Sequence, residues 1–483
     1  MNYEMMKYVL MSICKIEGLL LLIPVFVSVI YKEYQIAGKM AIVAIAFALI
    51  GMVFTRKKPR KIDIFAKDGL IIVGITWIIF SIIGAIPFYV TGSIPSFIDA
   101  FFETVSGFTT TGSTILTDIE SLSKGILFWR AFTHWIGGMG VLVFVMAIIP
   151  LAGRNSMSIM KAEVPGPTVD KLVPKAKQTA KLLYIIYIGL TGLEVVLLMI
   201  GKMPLYDSVV HAFATAGTGG FSIKSASVGY YQSAYIDWVV TIFMVLFGIN
   251  FNLFYLAILN KFNRIARSEE LRVYLAIIVV STLLISINVY SMYNSISDSL
   301  RYSAFQVASI ITTTGFMNTD FNLWPQFSKS ILLILMIVGA CAGSTGGGVK
   351  VSRIIIIAKH MRIELKKIIH PRSVSNVKVD GKIVENNVIR SVSGYIMIYF
   401  MLILFSFLLI SINGFDFETS ITSVITCINN VGPGLGSLVG PIGSFSMFSD
   451  FSKIVLSIDM LLGRLEIFPI LILFSPRIYK RRF

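Results

Sequence analysis

Four short segments of this chain repeat one residue pattern: Thr110, Thr111 and Gly112 in FTTTGST, Thr218, Gly219 and Gly220 in AGTGGFS, Thr313, Thr314 and Gly315 in ITTTGFM, and Asn430, Val431 and Gly432 in INNVGPG. The chemistry open to such turns at membrane depth is cation coordination. Glycine frees φ, so successive carbonyls can turn toward one axis and replace the hydration shell of a dehydrated ion. A single TTTG string says little, but four of them, each between apolar segments long enough to cross a bilayer, predict a cation pathway built from one polypeptide. Ala100, Ser208, Ser303 and Ser420 each stand twelve positions before a glycine, namely Gly112, Gly220, Gly315 and Gly432. That spacing favours Gly220 over Gly219 as the centre of the second turn, and Phe221 then matches Phe316.

The elements that must position these turns are short. Residues 96–107, 205–216, 300–311 and 417–428 predict helices of about three turns, too short to cross a bilayer and therefore re-entrant. Irregular backbone at that depth is tolerated only where it lines water or is buried in protein. The negative carboxyl ends of the four helices would point at the turns and favour a cation there. Close helix packing by glycine in a secondary transporter is the competing reading, and the fourfold register weighs against it.

The chain has 483 residues, 55% of them hydrophobic and 14% charged, with a mean hydropathy of +0.80. Such a composition leaves too little polar surface for a soluble protein of this size and predicts an all-α integral membrane protein. Apolar runs near 9–31, 37–55, 68–91, 126–151, 182–201, 236–259, 273–294, 329–357, 391–413 and 452–475 give ten expected spans. The formal charge of +16 is distributed as topology. Arg56, Lys57, Lys58, Arg60 and Lys61 follow the second span, and Arg154, Lys161, Lys171, Lys175, Lys177 and Lys181 follow the fourth. Lys261, Arg264, Arg267 and Arg272 follow the sixth, Lys359, Arg362, Lys366, Lys367, Arg372, Lys378 and Lys382 the eighth, and Arg477, Lys480, Arg481 and Arg482 close the chain. Basic loops after every even span place both termini in the cytoplasm. The same charge suits anionic lipid and makes no case for nucleic acid. Cys14, Cys341 and Cys427 are too few and too scattered for a disulfide framework or a metal site. The first apolar stretch exceeds a signal-peptide core and lacks a cleavage pattern, so it reads as a span.

The expected organisation is an N-terminal hairpin, residues 1–62, followed by four units of span, short helix, turn and span at 63–160, 161–262, 263–370 and 371–483. In the third unit Gly339, Gly343, Gly346, Gly347 and Gly348, with Ser344 and Thr345 between them, should break the eighth span into a loop, since each helix-interior glycine costs about 1 kcal/mol relative to alanine. Lys350 follows this run and has two expected placements, in the cytoplasmic vestibule or snorkelled to the interface. Arg464 and Glu466 lie in the last span, where an intramembrane charge requires a functional place or a partner; Asp459 is one candidate partner. His134 and His211 read as hydrogen-bonded buried residues, because no second ligand stands at metal spacing. Asp99 and Asp207, near the starts of their short helices, read as helix-terminal carboxylates. No Walker sequence, nucleophile and base pairing, or nucleotide-binding domain is present, so the chain does not read as an enzyme.

The four turns, with FWRAFTHWIGGMGVLVFVMAIIP (Phe128 to Pro150), AEVPGPTVDKLVPKAKQTAK (Ala162 to Lys181), GACAGSTGGGVKVSR (Gly339 to Arg353) and LLGRLEIFP (Leu461 to Pro469), resemble the Trk/Ktr/HKT superfamily of potassium and sodium transporters over almost the whole chain. The extra N-terminal hairpin and the AEVPGP segment are similar to its bacterial TrkH branch. The resemblance implies ten transmembrane helices plus four re-entrant pore helices, arranged as four pseudo-symmetric repeats around a central pore in the bacterial plasma membrane. It implies that the twelve turn residues form a K+ selectivity filter, that residues 339–348 form an intramembrane gating loop, and that Arg464 projects into the pore as a barrier to cations. Glycine at all four centres goes with potassium permeation in that superfamily, and serine in the first unit with sodium-selective plant members; Gly112 stands there in this chain. Gly219 and Val431 depart from the TTG pattern, so the carbonyl rings are expected to be inequivalent. The resemblance further implies a homodimer gated by a cytosolic TrkA-like ring that binds NAD, ATP or ADP, with K+ as the transported ion and no nucleotide on this chain. A sodium-selective or Na+/H+-coupled transporter of the same superfamily is the alternative.

Overall fold

A computed structural model describes residues 3–57, 59, 66–140, 176–373 and 375–474. Among these the chain is helical apart from short irregular connections and one antiparallel hairpin, Lys378–Val379 with Lys382–Ile383. Six helical stretches are long and apolar enough to cross a membrane: Tyr3–Ile30, Tyr34–Phe54, Asp68–Thr91, Lys181–Ile200, Glu269–Tyr293 and Asn386–Asn413. Their outward faces carry large apolar side chains such as Ile42, Val279, Ile287, Phe405 and Leu408. A helix surface of this kind is stable against lipid, where every backbone group is already paired within the helix. The chain is a multi-pass membrane protein.

The four short helices are Phe97–Phe108, Leu205–Gly217, Ile296–Ile311 and Phe417–Asn429. Three begin at a side-chain cap: Ser96 accepts from Asp99 N, Ser295 from Asp298 N and Asp416 from Thr419 N. These caps satisfy N–H groups that have no partner within the helix. The Ser295 cap also explains why the third helix starts four residues before the expected 300. Ala100, Ser208, Ser303 and Ser420 are all buried, and so are the aromatic rings of Phe108, Trp129, Phe221, Phe305 and Phe316 that pack around the helices.

Three of the expected spans are broken. The sixth is Ala234–Phe247 and Phe251–Ile258, bent by 94°. Asn250 starts the second piece by accepting from its own Asn252 N, while the Phe247 and Gly248 carbonyls accept from the glycine run. The eighth breaks as its glycines require, into Gln326–Val338 and Val351–Ile369, and the second piece runs twelve residues past the expected end at 357. The tenth is Asp450–Arg464 and then Phe468–Leu473, separated where Glu466 and Ile467 take φ of +56° and +69°. The first span begins at Tyr3 rather than residue 9. The fourth is described only from Lys124 to Met139 and Gly140. Its second half, Lys58, Arg60 and Lys61, the basic residues from Arg154 to Lys175, most of the AEVPGP segment and the basic C-terminus lie outside the described residues.

Candidate functional site

Each short helix ends in the same backbone turn. Thr110, Thr218, Thr313 and Asn430 take the left-handed conformation at φ of +54°, +56°, +57° and +55°, and two residues later Gly112, Gly220, Gly315 and Gly432 have φ of +85°, +75°, +81° and +103°. The residue between them donates its N–H to a helix carbonyl five positions back: Thr111 to Ser106, Gly219 to Ala214, Thr314 to Ser309 and Val431 to Thr426, at 2.8–3.0 Å. This closes the helix C-terminus and leaves the following carbonyls free of the helix. Asparagine suits the left-handed region, but a β-branched threonine there is strained and persists only where its surroundings hold it. Thr313 Oγ1 is held by Gly347 N at 2.6 Å, and Asn430 Nδ2 donates to Thr111 Oγ1 and Met460 O, both at 2.9 Å.

The four turns close on one another in cyclic order. A Cβ on Gly112 would lie 2.0 Å from Gly219 O, one on Gly220 2.0 Å from Thr314 O, one on Gly315 2.2 Å from Val431 O, and one on Gly432 2.7 Å from Thr111 O. Every centre therefore abuts the carbonyl that precedes the next centre, first to second, second to third, third to fourth and fourth back to first. This geometry agrees with Gly220, and not Gly219, as the second centre. Gly219 has a different reason to lack a side chain: its Cβ would fall 2.4–2.6 Å from the His134 ring. His134 donates from Nδ1 to Gly107 O at 2.8 Å and lies against Phe221, with ring centroids 4.0 Å apart. His211 donates from Nδ1 to Asp207 O at 2.8 Å, and its Nε2 lies 3.0 Å from Ser222 Oγ. Both histidines are thus hydrogen-bonded packing groups around the second turn, and among the described residues no group of three His, Cys, Asp or Glu side chains could hold a metal ion.

Beneath the ring lies the irregular segment 339–350. Gly339, Gly343 and Gly348 take φ of +72° to +76° there, and Lys350 takes +81°. The segment touches the turns directly: Gly347 N donates to Thr313 Oγ1 at 2.6 Å and Gly348 N to Asn429 O at 3.1 Å. On its other side Cys341 N donates to Gly248 O at 3.1 Å and Thr345 N to Phe247 O at 3.4 Å, while Gly343 O accepts from Phe251 N at 3.0 Å. The break in the sixth span is therefore the seat of the glycine segment. Ser344 and Gly346 lie within it, with Ser344 Oγ donating to Cys341 O at 2.6 Å. Lys350 takes neither expected placement; its side chain is buried and its ammonium donates to Gly346 O.

Arg464 reaches three backbone carbonyls, Thr345 O at 2.7 Å, Gly137 O at 2.5 Å and Gly138 O at 3.1 Å. Its guanidinium fork thus joins the glycine segment to the end of the Lys124–Gly138 helix. Asp459, the candidate partner, instead accepts from Ser406 at 2.7 Å, and Glu466 pairs with Arg353.

Asp99 and Asp207 sit in the first turns of their helices, as expected. Each also ties two elements together, since Asp99 accepts from Lys453 at 2.5 Å and Asp207 from Tyr231 at 2.7 Å. A buried pair went unanticipated: Arg130 Nε lies 2.6 Å from Glu103 Oε1. Glu103 also accepts from Thr114 Oγ1 at 2.9 Å and Ile115 N at 2.9 Å, and Arg130 donates to Ser222 O at 2.9 Å. The pair links the exits of the first two turns. The signal available in the sequence was an arginine and a glutamate inside strongly apolar surroundings, a placement that requires a partner.

The profile of the TrkH family, described as a cation transport protein, matches residues 35–480. The chain is 34% identical to the Trk system potassium uptake protein TrkH of Salmonella typhimurium over 97% of its own length and 99% of that protein. It is 36% identical to the Trk system potassium uptake protein TrkG of Escherichia coli K12, covering 95% of each. Among solved structures, the crystal structure of the potassium transporter TrkH from Vibrio parahaemolyticus superposes with a TM-score of 0.89 at 31% identity, over 99% of this chain and 100% of that one.

Proposed function

Because the chain belongs to the TrkH family of Trk potassium transporters, and is therefore a transport protein rather than an enzyme, we propose that the ring of four turns is the K+ selectivity filter of a single pore. The carrying observation is the cyclic contact of Gly112, Gly220, Gly315 and Gly432 with Gly219, Thr314, Val431 and Thr111. Carbonyls of Thr110, Thr111, Thr218, Gly219, Thr313, Thr314, Asn430 and Val431 take the place of water around a dehydrated K+. The helix C-termini behind them add a field that favours a cation. On this reading the chain makes ten membrane crossings and four re-entrant helices: the N-terminal hairpin 1–62 and four repeats at 63–160, 161–262, 263–370 and 371–483. The broken sixth, eighth and tenth helices count as spans, because their irregular segments are buried against the pore lining. Both termini lie in the cytoplasm.

The segment 339–348 is the gate in this reading, occluding the path directly beneath the filter. Arg464 braces it through Thr345 and places positive charge beside the path of a passing cation. Ion flow follows the electrochemical gradient, to which the membrane potential contributes about 2.3 kcal/mol per charge per 100 mV. The working assembly is a homodimer opened by a cytosolic, TrkA-like subunit, to which nucleotide binding belongs. Flux of 86Rb+ into liposomes holding the purified chain, with excess K+, Na+ or Li+ as competitor, tests the filter. Competition by K+ alone is expected. Equal competition by Na+ would overturn the potassium assignment in favour of a weakly selective cation pathway, competition by Na+ in place of K+ would favour the sodium-selective alternative, and silence even with the cytosolic subunit added would overturn the pore.

A further inference from the structure

The two ends of the glycine segment are held by one side chain from a different element. Glu270 stands in the first turn of the Glu269–Tyr293 helix, whose cap is Ser268. Its Oε1 accepts from Ala342 N at 2.7 Å, near the start of the irregular segment, and from Ser352 N at 3.1 Å, just past its end. Ser352 lies in the first turn of the Val351–Ile369 helix, where backbone N–H groups have no intrahelical partner, and Lys350 at the cap position contributes no side-chain cap bond. A carboxylate at that place meets both the free N–H and the positive end of the helix dipole. Glu270 therefore caps a helix it does not belong to, and with the same oxygen pins the opposite end of the loop.

The turn that carries Glu270 is itself anchored. Glu269 N donates to Asp380 Oδ1 at 2.7 Å, in the tip of the Lys378–Ile383 hairpin, and the Glu269 carboxylate pairs with Lys359, which also donates to Lys378 O at 2.7 Å. The carboxylate is thus presented from a fixed support, while the segment it holds contains Gly343, Gly346, Gly347 and Gly348 and has little local rigidity of its own.

We infer that Glu270 is the latch of the glycine segment: its single carboxylate oxygen, bridging Ala342 N and Ser352 N, holds the loop closed, and opening requires both bonds to be given up together. The inference rests on the reading of 339–348 as the gate, and its test separates the two. Cys341 is buried inside the segment and serves as a native reporter of loop release. In the full chain in liposomes, with Cys14 and Cys427 replaced by alanine, the rate of Cys341 labelling by a small maleimide is compared across wild type, Glu270→Gln and Glu270→Ala, alongside 86Rb+ flux.

Glu270→Ala, which loses both bonds, is expected to label at least roughly tenfold faster, the factor that even one charge-assisted hydrogen bond represents. Glu270→Gln, which keeps an acceptor of the same length without the charge, falls between it and wild type. An unchanged rate in Glu270→Ala overturns the latch. So does an equal rise at Cys427 in a parallel background that keeps that cysteine alone, because general loosening would then be the cause. Faster labelling with unchanged 86Rb+ flux upholds the latch and refutes the gate.

Discussion

A methyl group is too large for the centres of the ring. The atoms that a Cβ on Gly112 or Gly220 would strike are carbonyls of the neighbouring turn, at 2.0 Å in both cases, and backbone cannot swing aside as a side chain can. Gly112→Ser is therefore expected to keep the protein folded but displace the first two turns, lowering the preference for Rb+ over Na+ by roughly tenfold, about 1.4 kcal/mol in relative ion binding. Competitive flux reads that ratio directly. For Arg464, replacement by alanine removes both the brace and the charge, so 86Rb+ flux should rise; Arg464→Lys, with a point charge in place of a planar fork, should lie between. A fall in folded yield without a rise in flux would show the arginine to be purely structural. The Glu103–Arg130 pair obeys a different rule. Removing one partner strands a buried charge, so Arg130→Ala should cost roughly 3–5 kcal/mol of stability, read as a large fall in thermal midpoint. The Glu120–Lys224 pair, on partly exposed loop residues at 2.9 Å, should matter little. The hydrogen bond between its members lowers the pKa of Glu120 and raises that of Lys224. The contribution of Glu120 is present above the ordinary carboxylate range and lost as pH falls through its lowered value. That of Lys224 is present below the ordinary lysine range and lost as pH rises through its raised value. Lys224→Met should accordingly differ from wild type by less than about 1 kcal/mol at neutral pH, and the difference should fade as pH falls through the lowered value of Glu120.

Among the elements, the short helices were the most legible and the broken spans the least. A glycine twelve residues after a small residue, four times over, revealed the turn register and, apart from the earlier start of Ile296–Ile311, the helix lengths, because both follow from local geometry. The left-handed threonines were hidden, since threonine is a poor residue for that conformation and only the surrounding contacts hold it there. The five-glycine run announced the break in the eighth span. The break in the sixth gave no such signal, because its cause is distant in sequence: Phe247 and Gly248 give their carbonyls to Thr345 and Cys341. Glu103 with Arg130 and Glu270 with Ala342 and Ser352 were invisible for the same reason. At this scale the Asp416 cap can be tested alone. Asp416→Ala should destabilise the fourth short helix by about 1 kcal/mol, and since that helix ends at Asn429, beside the Gly348 N–H, the loss should appear both as a lower thermal midpoint and as faster Cys341 labelling.

Across the whole molecule, the cyclic contacts make the four quarters of the ring interdependent. Substitutions at adjacent centres, Gly112 and Gly220 for instance, share the displaced Gly219 segment, whereas Gly112 and Gly315 do not touch a common carbonyl. The adjacent double Gly→Ala variant should therefore depart from additivity in thermal stability by about 0.5 kcal/mol or more, and the opposite pair by less. Equal coupling in both pairs would argue against a ring.

The left-handed position is threonine in three turns and asparagine in the fourth, and only the second turn has a histidine behind it. In a pore assembled from four identical chains, any coding change appears four times and is all or nothing. Here each quadrant has its own codons. Selection can alter a single side of the ring while three sides stay fixed, so, with the ring read as the filter, permeation can drift by quarter steps, and a damaged quadrant can be compensated within the same gene.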